Sequence, residues 1–247
     1  MAARLALLLT VLLFATDLLA AELSTPIRYG HDTDGVRVLL DLDLPQQTQE
    51  QRRISERLLL SVPLVWLPPG DSWKSRIDHS HKLMLADIAQ ARAEFPNAAS
   101  VKQWNSDGSI VSTWSSSLLL SCRASNESYA GGAHGNSQTQ AILLDLRAER
   151  VLTLDDIILP AQQPALSELL TMAYKKANNI PLNDRLRDHA LHVDVLPAKL
   201  PFITAAGITV EYQPYEIAAY SAGTITVELP RQVVHPLLTR DVWAEAE

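Results

Sequence analysis

The chain has 247 residues, of which 21 are Lys or Arg and 28 are Asp or Glu, so its formal net charge is −7 at pH 7. An acidic chain without a Lys/Arg cluster argues against nucleic acid or an anionic membrane as partner and favours a basic one. Cys122 is the only cysteine, which excludes an internal disulfide, and its apolar surroundings predict a buried, inert thiol.

The N-terminal segment has the pattern of a secretory signal peptide. Arg4 provides a positive start, residues 5–15 form an apolar run, and the small residues Ala20 and Ala21 follow. The run is interrupted at Asp17, and a bilayer span needs about 20 apolar residues. We therefore expect cleavage after Ala20 or Ala21 and a periplasmic or secreted protein with no membrane span after cleavage.

Up to residue 125 the pattern predicts strands and one long helix. Residues 36–42 alternate as a half-buried strand does. Pro63 indicates that the apolar run 58–67 is an edge strand or breaks into two. Residues 72–95 have the apolar spacing of an amphipathic helix, and the turn-forming residues 106–109 indicate a hairpin. The predicted elements are strands 26–29, 36–42 and 58–67, helix 72–95, and a hairpin of strands 100–105 and 110–122.

The second half of the chain alternates strands with helices. Thr153 precedes two acidic residues, as a helix cap does. The predicted elements are loop 126–136, strand 139–146, a short helix from Thr153, helix 164–176, strands 202–204, 208–212 and 224–229, and a last helix 231–238. This order predicts an α+β fold with a mainly antiparallel sheet, helices packed on one face, and a candidate break into two subdomains near residues 97–100.

Candidate metal and catalytic motifs lack the geometry that their chemistry requires. The segment Asp32–Gly35 lacks the later ligands of a calcium loop and suits a hairpin turn. On a helix, His79 and His81 point to different sides, while His189 and His192 are better spaced but have no HExxH pattern. No GxSxG elbow or phosphate-binding glycine loop is present. We expect no metal, no cofactor and no catalytic residue, and hence not an enzyme.

Two loops have a distinctive composition. The first, residues 129–135, places Gly131 and Gly132 between Tyr129 and His134. One interpretation is a tight connection that needs positive φ angles and packs Tyr129 on the sheet. The other is an exposed loop that presents Tyr129 and His134 to a partner.

The second loop holds three of the six tyrosines within nine positions: Tyr212, Tyr215 and Tyr220, with Glu216 between them. Tyrosine provides a large contact area at low entropic cost, so it is common at interfaces. A packed connection with one or two buried tyrosines explains the same pattern. We take all eight of these loop residues as candidate partner-binding residues: Tyr129, Gly131, Gly132, His134, Tyr212, Tyr215, Glu216 and Tyr220.

Five short motifs, in order, resemble those of the DUF3298 family. Tyr129-x-Gly-Gly-Ala-His-Gly135, Leu144-Asp-Leu146 and Leu152-Thr-Leu-Asp-Asp-Ile157 are similar to the start of that domain. The stretch from Phe202 to Gly223 and the motif Val227-Glu-Leu-Pro230 are similar to its end. The resemblance implies an extracytoplasmic α+β binding module, as in the outer domain of RsiV-type anti-sigma factors, which bind lysozyme. It implies no catalytic residues.

The sequence as a whole predicts three segments: a signal peptide (1–21), an N-terminal α+β half similar to DUF4163 (22–125), and a DUF3298-like half (126–247). The predicted function is a periplasmic binding or sensing module for a basic lysozyme-like muramidase or another cell-wall partner. Two alternatives stand beside it. One is an enzyme acting on envelope glycans, with His134 and Glu216 as acid and base, and the other is a structural envelope protein.

Overall fold

The computed structural model describes residues 26–244, so the predicted signal peptide lies outside the described residues. The strands and helices follow one another in this order: β1 (Ile27–Thr33), β2 (Val36–Asp43), α1 (Gln49–Ser61), α2 (Trp73–Glu94), β3 (Trp104–Ser115), β4 (Leu119–Tyr129), β5 (Asn136–Asp145), β6 (Arg150–Leu152), α3 (Leu154–Ile157), α4 (Gln163–Ala177), β7 (Phe202–Ile203), β8 (Gly207–Tyr212), β9 (Ile225–Pro230) and α5 (Arg231–Val234).

The strands form two sheets. The large sheet has the order β1-β2-β3-β4-β5-β6, and the small sheet has the order β7-β8-β9. Neighbouring strands are antiparallel except β2 and β3, which are parallel because α1 and α2 connect them across the sheet. The fold is therefore α+β, as the sequence predicts.

The large sheet has a hydrophobic core on each face. Helices α1 and α2 cover the first core, which includes Val38, Leu40 and Ile110. The second core joins Leu143 to the small sheet and to α4. The small sheet is also tied to β4 by polar contacts: Arg123 Nε lies 3.0 Å from Glu211 Oε1, and the Ile203 N–H donates to Ser121 Oγ.

Residues on each strand alternate between these two faces. Ile110 and Ala124 are partners in the β3–β4 register and both belong to the first core. Ser106, Asn126 and Gln138 have the same parity in the paired strands, so they share the face that α1 and α2 partly cover.

Two sequence-based strand predictions are wrong. Residues 58–67 do not form a strand, because Leu58 and Leu59 complete the apolar side of helix α1 together with Ile54. Helix α1 begins after Thr48, whose hydroxyl accepts the Gln51 N–H, and only an isolated bridge joins Leu64 to Leu67. A short apolar run does not distinguish helix from strand by periodicity alone.

The predicted hairpin at 106–109 is also wrong, because these residues lie inside β3 and the turn to β4 comes at 116–118. Two of the turn-forming residues serve other purposes in the strand. Asp107 pairs with Arg37 of β2, at 3.0 Å from Nε, and Gly108 lies against Trp66. The predicted helices at 72–95, from 153, and at 164–176 are confirmed.

The proposed segment boundaries fall in continuous structure. Strand β4 crosses the division between residues 125 and 126, and the stretch 97–100 leads through a 3-10 turn into β3. Strand β3 pairs with β2 on one side and with β4 on the other, so elements from both proposed halves share one sheet. Within residues 26–244, no helix combines the length and apolar character needed to cross a membrane.

Candidate functional site

The two distinctive loops meet in space and form an aromatic cluster of His134, Tyr215 and Tyr220. The His134 ring stacks on Tyr220 with 3.9 Å between ring centroids and 24° between planes. The ring centroids of Tyr215 and Tyr220 are 5.4 Å apart, and the two ring planes are tilted by 35°. The chain therefore brings together two loops that are about 80 residues apart in sequence.

Hydrogen bonds between the loops hold the cluster. The Tyr220 hydroxyl donates to the Gly135 carbonyl at 2.8 Å. His134 Nδ1 lies 2.8 Å from the same carbonyl, and since a carbonyl only accepts, the imidazole carries a proton on Nδ1. The Gln213 side chain accepts the Thr139 N–H at 2.8 Å and donates to the Thr139 carbonyl at 3.1 Å, which fastens the second loop to β5.

Tyr215 is exposed, with 63% of its surface accessible, and His134 is exposed as well. The Tyr215 backbone has φ 70°, an uncommon conformation for a residue with a side chain. Glu216 holds this turn, because its carboxylate accepts the Gln213 N–H at 2.8 Å and the Lys199 ammonium at 2.7 Å. Glu216 is thus a turn-stabilising residue, and its charge already has a partner.

Two glycines of the first loop adopt the positive φ angles that one of its two interpretations requires. Gly131 and Gly132 have φ angles of +77° and +103°, which favour glycine. The Tyr129 hydroxyl donates to the Gly132 carbonyl at 3.1 Å. Tyr129 and Tyr220 together border a cleft of about 300 Å³ whose other lining residues include Glu127.

Tyr212 requires a correction to the predicted set of contact residues. Its side chain is fully buried, and its hydroxyl donates to the Pro197 carbonyl at 2.8 Å. Burial raises the pKa of Tyr212, and the Lys199 ammonium lies 5.4 Å from its ring centroid. Tyr212 packs in the second core, so it is not available to a partner.

The remaining candidates for chemistry lie outside this cluster. Cys122 is fully buried, as the sequence predicts, and burial raises the pKa of its thiol to about 12. His79 is exposed whereas His81 is buried against the Val36 carbonyl, so the two imidazoles point to different sides of α2. Among residues 26–244, no group of three His, Cys, Asp or Glu side chains is placed to hold a metal ion.

Residues 155–232 match the model of DUF3298, a family described as a protein of unknown function. This confirms the resemblance found in the sequence over that segment. No curated protein matches the sequence at a significant level.

Two solved structures are similar to this chain. A DUF3298 family member from Bacteroides fragilis is 20% identical, with a TM-score of 0.69, and the match covers 90% of this chain and 96% of that one. A DUF3298 family protein from Pseudomonas aeruginosa is 21% identical, with a TM-score of 0.58 and coverage of 89% and 96%. At this level of identity the similarity shows the fold.

Proposed function

We propose that this protein is an exported binding module and that it binds a protein partner through the aromatic cluster. The observation that carries the proposal is the exposed stack itself: Tyr215 is 63% exposed beside the stacked rings of His134 and Tyr220. Aromatic rings on loops above a rigid sheet are typical of interaction sites.

The energetics of the turn favour an interaction role over a packing role. A tyrosine at φ 70° costs of order 1 kcal/mol or more relative to an ordinary conformation. The exposed ring recovers little of that by burial in the free protein, because most of its surface stays in water. A partner that covers the ring would gain about 25 cal/mol for each Å² of apolar surface removed from water.

The partner class that fits is a basic protein of the lysozyme type. Three features support it: the net charge of −7, the export expected from the N-terminal pattern, and the resemblance to RsiV-type domains. An acidic surface attracts a basic partner and accelerates encounter, while the aromatic contacts supply persistence. The proposal assigns no catalytic role, because the Glu216 carboxylate is already engaged by Lys199 and Gln213.

The test is titration calorimetry of the purified protein with a basic c-type lysozyme at physiological and at high salt. We expect saturable binding that persists at high salt, because apolar contacts are not screened. Binding that disappears at high salt would reduce the interaction to charge attraction and contradict the proposal. Absence of binding at both salt concentrations would remove lysozyme as the partner.

The aromatic cluster itself is tested by Tyr215→Ala, which should weaken binding about tenfold or more while leaving the unfolding temperature nearly unchanged. The matched control is Phe95→Ala, since Phe95 is another exposed aromatic residue, 59% accessible, and follows α2 outside the cluster. Equal binding by the two variants would exclude Tyr215 from the contact surface.

A further inference from the structure

A groove of about 610 Å³ lies on the face of the large sheet that α1 and α2 only partly cover. This volume is within the range of about 300–1,000 Å³ that small-molecule sites occupy. The floor consists of strand residues with amide and hydroxyl side chains, and the wall consists of apolar residues that follow α1 or belong to α2. The floor residues used below are Ser106, Asn126 and Gln138, and the wall residues are Trp66, Leu83 and Met84.

The floor offers side chains rather than backbone groups. Strands β3, β4 and β5 pair with one another along this region, with Gly108 opposite Asn126 and Asn126 opposite Gln138. The Asn126 amide donates to Ser106 Oγ at 2.9 Å, which orients both side chains. An amide side chain both donates and accepts, so this floor can pair with hydroxyl groups in either direction.

The groove is uncharged, although 20% of the chain is charged. None of its lining residues, all within the described part of the chain, is Asp, Glu, Lys or Arg. A charged ligand entering it would lose hydration without gaining a counter-charge, which is costly. The lining therefore selects a neutral ligand.

The wall is held in place by Arg76, a fully buried residue of α2. Its guanidinium donates to the wall carbonyls of Pro68 at 2.8 Å and Leu67 at 3.0 Å. It also donates to two carbonyls next to the wall, those of Val62 at 3.4 Å and Leu60 at 3.5 Å. Trp66 in this wall approaches β3 at Gly108, where a Cβ would lie 3.1 Å from the indole nitrogen. That indole N–H has no hydrogen-bond partner among residues 26–244.

We propose that this groove binds a neutral oligosaccharide. A sugar presents hydroxyl groups to the amide floor and its C–H faces to the apolar wall, and a neutral one needs no counter-charge. A peptide strand fits less well, because recognition by strand addition requires a free sheet edge, and this floor belongs to paired strands. The floor residues Ser106, Asn126 and Gln138 lie on the sheet face opposite Tyr129. The groove borders the cleft beside Tyr129 through Asn105, Ser128 and Asn136, and none of the three floor residues belongs to that cleft. Sugar binding at this floor does not require the protein partner proposed above.

The experiment is a nuclear magnetic resonance titration of the full protein with two neutral probes, tetra-N-acetylchitotetraose and cellotetraose, at up to millimolar concentration. The Trp66 indole signal is assigned by its disappearance in Trp66→Phe. We expect a saturable shift of this signal with at least one probe. A spectrum in which neither probe moves it would overturn the proposal.

The floor is tested by Gln138→Ala, which should weaken sugar binding about tenfold, since a lost hydrogen bond of about 1–1.5 kcal/mol corresponds to that factor. Gln90→Ala is the matched control, because Gln90 is exposed on α2 and outside the groove. Equal affinity of the two variants would contradict the assignment of the floor.

Selectivity for neutral sugars is tested with an oligosaccharide of similar length that carries carboxylates, which should bind at least about tenfold more weakly. Binding as tight as that of the neutral probe would overturn the charge argument. Gln138→Ala should leave lysozyme binding unchanged, whereas Tyr215→Ala should leave sugar binding unchanged, so the two proposals can fail separately.

Discussion

The two faces of the large sheet present two different kinds of surface. On one face, the groove has a floor of paired strands and a wall that Arg76 holds in place through four backbone carbonyls. On the other face, the aromatic cluster consists of two loops joined mainly by the Tyr220–Gly135 hydrogen bond and by Gln213. Strand-built sites are preorganised, whereas loop-built sites open at lower free energy and adapt to a partner.

This difference also decides how each surface responds to substitution. A change beneath the groove disturbs the first core, because Leu67 of the wall and Trp73 of α2 are both buried in that core. A change in the cluster disturbs only the local loop contacts. We therefore expect global destabilisation on one face and local loosening on the other.

Arg76→Met should have the largest effect. It removes the donor for four backbone carbonyls in or next to the wall and the cation 5.2 Å from the centroid of the Trp73 ring. Burial lowers the pKa of Arg76, because desolvation disfavours the charged guanidinium. The cost of leaving buried carbonyls without a donor nevertheless exceeds the gain from removing a buried charge. We therefore expect a loss of about 3 kcal/mol in the free energy of unfolding, measured with urea.

The control is Arg53→Met, since Arg53 is an exposed residue of α1 that pairs with Glu50 three positions earlier. Exposed pairs contribute little, so its effect should stay below about 0.5 kcal/mol. A comparable effect of both substitutions would mean that the wall carbonyls find other donors or water.

Gly108→Ala should cost about 2 kcal/mol, because the added methyl group would meet the Trp66 indole at 3.1 Å and the Leu39 carbonyl at 3.4 Å. Gly132→Ala provides the contrast on the cluster side. No atom of the described residues lies within 4 Å of a Cβ there, and its cost of about 1 kcal/mol comes from φ +103°. The Trp66 indole signal should move in the first variant only; movement in both would remove the distinction between the faces.

Tyr220→Phe should cost about 1 kcal/mol, since it removes the hydrogen bond to Gly135 but keeps the ring stacked on His134. Hydrogen exchange should accelerate at residues 133–135 and stay unchanged at the floor residues Ser106, Asn126 and Gln138. Faster exchange in β3 as well would show that the cluster stabilises the whole sheet.

The sequence predicted the fold class, the long helix and the two loops, because each depends on local patterns. It also held the signal for Tyr212, since Ile208, Val210 and Tyr212 alternate along β8 and so share its buried face. The meeting of the loops could not be predicted, because His134 and Tyr220 come together only through the packing of the small sheet on the large one.

The groove could not be predicted from the sequence, because two strand predictions were wrong. The predicted turn at 106–109 assigned Ser106 and Gly108 to a loop, whereas both lie in β3. The predicted strand at 58–67 assigned the wall residues to the sheet, whereas they follow α1. Glycine marks a turn in most sequences, but in β3 it marks the close approach of Trp66, a residue 42 positions earlier. Only the tertiary structure distinguishes these two uses.

The smallest effect is expected for Asp156→Asn, in a residue that lines neither surface. The Asp156 carboxylate accepts the Thr153 N–H at 2.7 Å and the Arg150 guanidinium at 2.7 Å, and these contacts lower its pKa to about 2 from the ordinary 3.8. Asparagine retains an acceptor for Thr153, and solvent screens the pair with Arg150. We therefore expect a loss of between about 0.5 and 1 kcal/mol at pH 7.

The pH dependence of that loss follows from the lowered pKa. A carboxyl whose pKa is lower in the folded state stabilises the protein above its unfolded pKa, and this contribution vanishes as the pH falls through the folded pKa. The natural protein and Asp156→Asn should thus differ by a constant free energy of unfolding above about pH 5. This difference should shrink towards zero as the pH falls from about 4 to about 2. Urea unfolding measured at several pH values checks this, and a difference that persists at pH 2 would assign the effect to shape rather than to charge. Because the change lies outside both surfaces, lysozyme binding and the Trp66 signal should remain as in the natural protein, which makes this variant the baseline against which the two faces are compared.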